Sequence, residues 1–206
     1  IGDSTQDEYA APENDRPGVN WVEHLAQSGF PLGEWGTWGD SRRTGYEFNW
    51  ARSGAVSYNA LHDQAPGLLK QIEEGRVSHI LLQIGINDME PHALDIYLGN
   101  TNYGALDATV SGIVETARQI EQAAPGRLIV ASMQDYVALD LVPNPQNSLV
   151  PDAAGRKRLV DAFEYVNIHL AEQILAEGIH WFDWNAAMAD RLAQIRKGDT
   201  FTLDGQ

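Results

Sequence analysis

At 206 residues, with 43% hydrophobic and 21% charged side chains, the chain is long and apolar enough for one sizeable core, and its composition is that of a globular protein rather than a disordered one. Its formal net charge of −15 repels phosphate backbones and anionic membranes, so nucleic acid is an unfavourable partner and neutral or cationic molecules are favoured. The absence of cysteine excludes disulfides, thiolate zinc sites and a cysteine nucleophile but leaves the compartment open, and no apolar run approaches the roughly 20 residues that span a bilayer.

The first residues, Ile1-Gly2-Asp3-Ser4-Thr5-Gln6, read as the end of a buried strand followed by a turn. Gly2 allows a bend where a side chain would clash, Asp3 can fold its carboxylate onto nearby backbone N–H groups, and Ser4 is then presented at a strand's carboxyl end. A polar loop over 7–18 leads to a short amphipathic helix with Trp21, Val22, Leu25 and Ala26 inward and Gly29 as its stop. Residues 30–45, containing Trp35 and Trp38, are so rich in glycine that they read as an irregular loop. A second strand is predicted over 46–51, a turn at Gly54, and a helix over 58–74 ending at Gly75.

The apolar run 79–84 predicts a strand covered on both faces, closed by a turn with Gly85, Asn87 and Asp88, and 89–103 reads as a loop. The three- and four-residue spacing of Leu106, Val110, Ile113, Ala117 and Ile120 predicts a helix over 104–124. A fourth strand (127–133), a loop rich in Pro and Asn (134–151), a long helix (152–177), a fifth strand (179–184), a last helix (185–196) and a polar tail (197–206) complete the chain. Alternating strands and helices predict one α/β domain with a parallel sheet between helical layers.

In such sheets ligands bind beyond the carboxyl ends of the strands. Ser4, Gly54 and Asn87 each follow a predicted strand, so they are expected on one rim. Together they supply much of what acyl transfer requires. Ser4 is a nucleophile, and the N–H groups of Ser4 and Gly54 with the Asn87 amide are oxyanion donors. Asp88 reads as a carboxylate that ties loop backbone together.

Four stretches resemble the marks of the SGNH (GDSL) hydrolases: Gly2-Asp3-Ser4, Asn49-x-Ala51-x-x-Gly54, Gly85-x-Asn87-Asp88 and Asp204-Gly205-Gln206. The resemblance covers essentially the whole chain. It implies a flavodoxin-like three-layer α/β/α sandwich with a five-stranded parallel sheet. It also implies a serine esterase or lipase that needs no metal or organic cofactor, with Ser4, Gly54, Asn87 and Asp204 catalytic and Asp3 and Asp88 supporting.

The family's last mark is Asp-x-x-His, and here Asp204 is followed only by Gly205 and Gln206. None of His24, His62, His79, His92, His169 and His180 has an aspartate three residues before it. The expectation is therefore a chain cut at both ends, with the base histidine just beyond Gln206. Trp35 and Trp38 are candidates for stacking on a sugar or covering an acyl chain, against the alternative of pinning a long loop. The expected substrate is a small-molecule or carbohydrate ester. The competing reading is a carbohydrate-binding module with a degenerate site on the same fold.

Overall fold

The computed structural model describes residues 1–135, 137 and 152–196. The predicted loop 134–151 lies largely outside them, and the tail 197–206, with Asp204, lies wholly outside. The elements in chain order are α1 (Trp21–Gln27), β1 (Trp35–Thr37), β2 (Thr44–Tyr46), α2 (Ser57–Asn59), a π-helical turn (Ala60–Gln64), α3 (Ala65–Glu73) and β3 (Ile80–Leu82). Then follow α4 (Ile86–Met89), a 3-10 turn (Glu90–His92), α5 (Ala93–Leu98), α6 (Tyr103–Ala123), β4 (Leu128–Ala131), α7 (Ala153–Ala176), β5 (His180–Phe182) and α8 (Trp184–Arg196). The protein is thus mixed α/β, with a parallel three-stranded sheet in the order β3-β4-β5.

The register sets Leu82 beside Val130 and Trp181. Leu82 and Val130 are fully buried in a core shared with Leu106, Val110, Ile113 and Ile120 of α6 and with Val166, Leu170 and Ile174 of α7. These helices bury one stripe because their apolar residues recur every three or four positions. The opposite face of the sheet is more open among the described residues: Ile129 is 41% and Phe182 45% exposed. The strand over 79–84 was expected to be covered on both faces, yet Leu81 is only half-buried.

Ile1 and Gly2 run parallel to β3. The Ile1 carbonyl accepts from the Gln83 N–H (3.2 Å), and Gly2 and Gln83 form a single bridge. The expected second strand over 46–51 does not form a ladder. Tyr46 instead closes an antiparallel pair, with Trp35, Gly36 and Thr37 opposite Tyr46, Gly45 and Thr44. Beyond it, the Asn49 side chain occupies local backbone, accepting from the Ala51 N–H (3.2 Å) and donating to the Gln6 carbonyl (2.8 Å). Arg52 N–H reaches back to the Gly2 carbonyl (3.1 Å), so this stretch meets the opening residues through isolated bonds.

Three further expectations are corrected. The β1–β2 pair occupies part of 30–45, because Trp35, Thr37, Thr44 and Tyr46 favour extended backbone; Gly36 and Gly45 pair within the ladder, and only Gly39 lies in the connection. Residues 89–103 are mostly helical: α4, the 3-10 turn and α5 follow one another until Gly99 ends the run in a left-handed conformation (φ 94°). In α1, Trp21 (37%) and Leu25 (36%) are exposed, and Val22 and Glu23 face inward. The cause is polar: Glu23 forms a capping box with Asn20 and also accepts from the Ala10 N–H (2.9 Å), which turns that face to the body.

Candidate active site

The turn at residues 3–7 is built from backbone and side-chain bonds together. Gln6 and Asp7 N–H groups both donate to the Asp3 carbonyl (3.2 and 3.0 Å). Asp3 Oδ1 accepts from the Thr5 N–H and the Thr5 hydroxyl, each at 3.0 Å, and the Asp3 N–H donates to Gln6 Oε1 (2.9 Å). Gly2 has no room for a side chain, because a Cβ would collide with the Gln6 amide and come within 2.9 Å of the Gln83 carbonyl. Within this turn the N–H groups on either side of Ser4 are taken, whereas the Ser4 N–H and Oγ have no hydrogen-bond partner among the described residues.

The Gly54 turn repeats that pattern. Ser53 N–H donates to Asp7 Oδ2 (2.7 Å), and Ala55 N–H donates to the Arg52 carbonyl (3.0 Å). Between them the Gly54 N–H has no partner among the described residues, and the residue is exposed. Gly54 is needed for its backbone angle, φ +79°, which an L side chain rarely adopts. Crowding is not the reason, since a Cβ there meets nothing within 4 Å.

The third segment is joined to the second. Asn87 Nδ2 donates to the Ala55 carbonyl (2.9 Å), which uses one of its two amide hydrogens. Asp88 accepts from the Ser57 N–H (2.8 Å) and hydroxyl (2.6 Å), fixing the start of α2. Burial raises the pKa of Asp88, and it raises that of Asp3 too, with the charge of Asp88 adding to the shift at Asp3. The structure therefore brings the Ser4, Gly54 and Asn87 segments together through direct bonds.

Three buried glutamines that sequence patterns did not single out support this rim. Gln64 brackets Gly2, accepting from its N–H (3.0 Å) and donating to its carbonyl (2.9 Å). Gln64 ends the π-helical turn, a helix irregularity that re-aims a side chain. Gln6 Nε2 donates to Gln83 Oε1 (2.6 Å), and Gln83 donates to the Ser132 carbonyl (2.9 Å). No sequence signal marks them; only their burial does. Beside the turn, Asp3, Thr5, Gln83, Ile84, Ile86, Met133 and Gln134 line a cleft too tight to admit a water molecule.

None of the six histidines hydrogen-bonds to Ser4. His62 packs on Tyr58 (4.1 Å between ring centres), His79 pairs with the Ser78 hydroxyl (3.0 Å), and His169 lies against Tyr165 and near Glu172. Trp38 is half-buried, donates from Nε1 to the Gly45 carbonyl (2.9 Å) and carries the Arg42 guanidinium 4.5 Å above its ring. Trp35 is 43% exposed and meets Tyr46 edge-on at 5.1 Å. Among the described residues no group of three or more His, Asp or Glu is placed to hold a metal ion, and no helix is long and apolar enough to cross a membrane.

No family model matches the chain, and no curated protein matches it.

Proposed function

We propose that the protein is a serine hydrolase of carboxylic esters, of the SGNH type. The observation that carries this reading is the pairing of two turns, each with its flanking N–H groups occupied and one N–H left free, at Ser4 and at Gly54. A hydrogen of the Asn87 amide that is not given to Ala55 is the third donor. Ser4 Oγ attacks the ester carbonyl, and the three donors hold the oxyanion of the tetrahedral intermediate. A general base takes the Ser4 proton and passes it to the leaving alcohol; water then attacks the acyl-enzyme to release the acid and free Ser4. Asp3 and Asp88 shape the turns and take no part in proton transfer.

The finer architecture belongs to the same reading. Ile1–Gly2 beside β3, and Arg52 beside Gly2, are the bonds expected if the opening residues and the Asn49–Arg52 stretch extend the parallel sheet to five strands in a flavodoxin-like sandwich. The net charge of −15 favours a neutral ester, such as an acetylated carbohydrate, over an anionic phospholipid.

The exposed Trp35 and the absence of a histidine bonded to Ser4 favour a second reading, a carbohydrate-binding module with an inactive site. Hydrolysis of short-chain p-nitrophenyl esters by the complete gene product, wild type against Ser4→Ala, separates the two. The hydrolase reading expects turnover that falls at least about a thousandfold in the variant. Equal background rates in both proteins, with retention on a carbohydrate column, would establish the module instead.

A further inference from the structure

We propose that Asp7 is a positioning residue that couples the nucleophile turn to the oxyanion turn. The proposal rests on the serine hydrolase reading of the site. Asp7 belongs to the first turn by its backbone, since its N–H donates to the Asp3 carbonyl (3.0 Å) and so closes the loop around Ser4. It belongs to the second by its side chain. Oδ2 accepts from the Ser53 N–H (2.7 Å), and Oδ1 lies 3.4 Å from Arg52 Nη1. The carboxylate is 4% exposed and the Arg52 side chain 9%, so the pair is shielded from solvent.

Two donors that must meet one oxyanion come from segments about fifty residues apart, at Ser4 and Gly54. Their relative placement needs a rigid link. Ser53 N–H immediately precedes Gly54 in the turn, so occupying it with Asp7 fixes the peptide that presents the Gly54 N–H. Arg52, on the same stretch, donates its backbone N–H to the Gly2 carbonyl (3.1 Å) and its Nε to the Ser41 carbonyl (2.9 Å). Asp7 thus holds both the main chain of one turn and the guanidinium that braces it. The Asp7 carbonyl in turn accepts from Asn20 Nδ2 (2.7 Å), which anchors the joint to the start of α1.

The test uses the complete gene product with wild type, Ser4→Ala, Asp7→Asn and Asp7→Ala. Steady-state hydrolysis of a short ester is paired with inhibition by a boronic acid, which forms a tetrahedral adduct on serine and occupies the oxyanion site. Asp7→Ala is expected to lower kcat about tenfold to a hundredfold with KM nearly unchanged, and to weaken boronate binding by a similar factor. Asp7→Asn keeps an oxygen acceptor for the Ser53 N–H and is expected to recover part of both losses. It also carries the test if the alanine variant fails to fold. Folded Asp7 variants with wild-type kcat and boronate affinity, in a wild type whose activity depends on Ser4, overturn the role of Asp7 alone. Wild-type hydrolysis that Ser4→Ala leaves intact overturns the site reading, and Asp7's role with it.

Discussion

The rim turns and the β1–β2 hairpin are both glycine-rich and polar in sequence, yet they treat their hydrogen-bonding groups in opposite ways. The hairpin turns its donors inward: Trp38 N–H meets the Arg43 carbonyl (2.8 Å), Trp38 Nε1 meets the Gly45 carbonyl, Tyr46 N–H donates to Glu8 Oε1, and the Arg42 guanidinium lies between the rings of Trp38 and Trp50 at 4.5 and 4.8 Å. Its outward side carries Trp35 beside the polar Thr37, Asp40, Ser41 and Arg43. The rim occupies every N–H around Ser4 and Gly54 and leaves theirs open. Backbone donors left free within an otherwise fully bonded turn are the arrangement that chemistry on an oxyanion requires, whereas a hairpin with inward-turned donors and an outward indole suits packing or contact with a ligand's apolar face.

That contrast is broken most severely at Gln64. Replacing Gln64 by Leu strips both bonds from buried Gly2 and should cost about 2–3 kcal/mol of stability, read by denaturant unfolding. It should also reduce ester turnover per folded molecule, because Gly2 starts the Ser4 turn. Unchanged turnover would show that the rim tolerates a loosened base. In the hairpin, Trp38→Ala should cost about 2 kcal/mol while Trp35→Ala stays within about 0.5 kcal/mol, with kcat on a small ester unaltered in both. A large kcat loss from Trp38→Ala would make the hairpin part of the catalytic apparatus.

The smallest effect lies where the two regions meet. Glu8 is fully buried and accepts from the Tyr46 N–H through Oε1 (2.8 Å), and burial raises its pKa above the ordinary 4.5. A carboxyl with a raised folded-state pKa contributes stability that is fully present below 4.5 and is lost as pH rises through the folded value. Asp3 and Asp88 act with the same sign from 3.8 upward. Glu8→Gln keeps an acceptor for Tyr46 and cannot ionise. Its melting temperature relative to wild type should therefore rise with pH from 4.5 upward. Parallel profiles for the two proteins would remove Glu8 as a source of the pH dependence.

Turn chemistry and helix periodicity were readable in advance because both are local. Asp3 bonds the Thr5 N–H as an aspartate in such a turn does, and α6 and α7 bury the stripes their spacing dictates. Contacts between distant segments were not readable. Nothing around Gln64 says that a helix irregularity will aim it at Gly2, and although Asn20 and Glu23 carry capping-box spacing, nothing local says that Glu23 will also bind the Ala10 N–H and turn its face, not tryptophan's, to the interior. Tyr46, read as the start of a strand over 46–51, pairs instead with Trp35, because an aromatic residue favouring extended backbone suits a hairpin as well as a central strand. Asp7 looked like one more charge in an acidic loop, and only its distance to Ser53 gives it a role.

The most direct measurement of the central claim is covalent labelling of the complete gene product with a fluorophosphonate, followed by peptide mass spectrometry. The account predicts a single adduct on Ser4, absent in Ser4→Ala and blocked by prior incubation with a short ester or boronate. Labelling at Ser53, Ser57 or another serine instead, or no adduct on a protein that turns over esters, would contradict it.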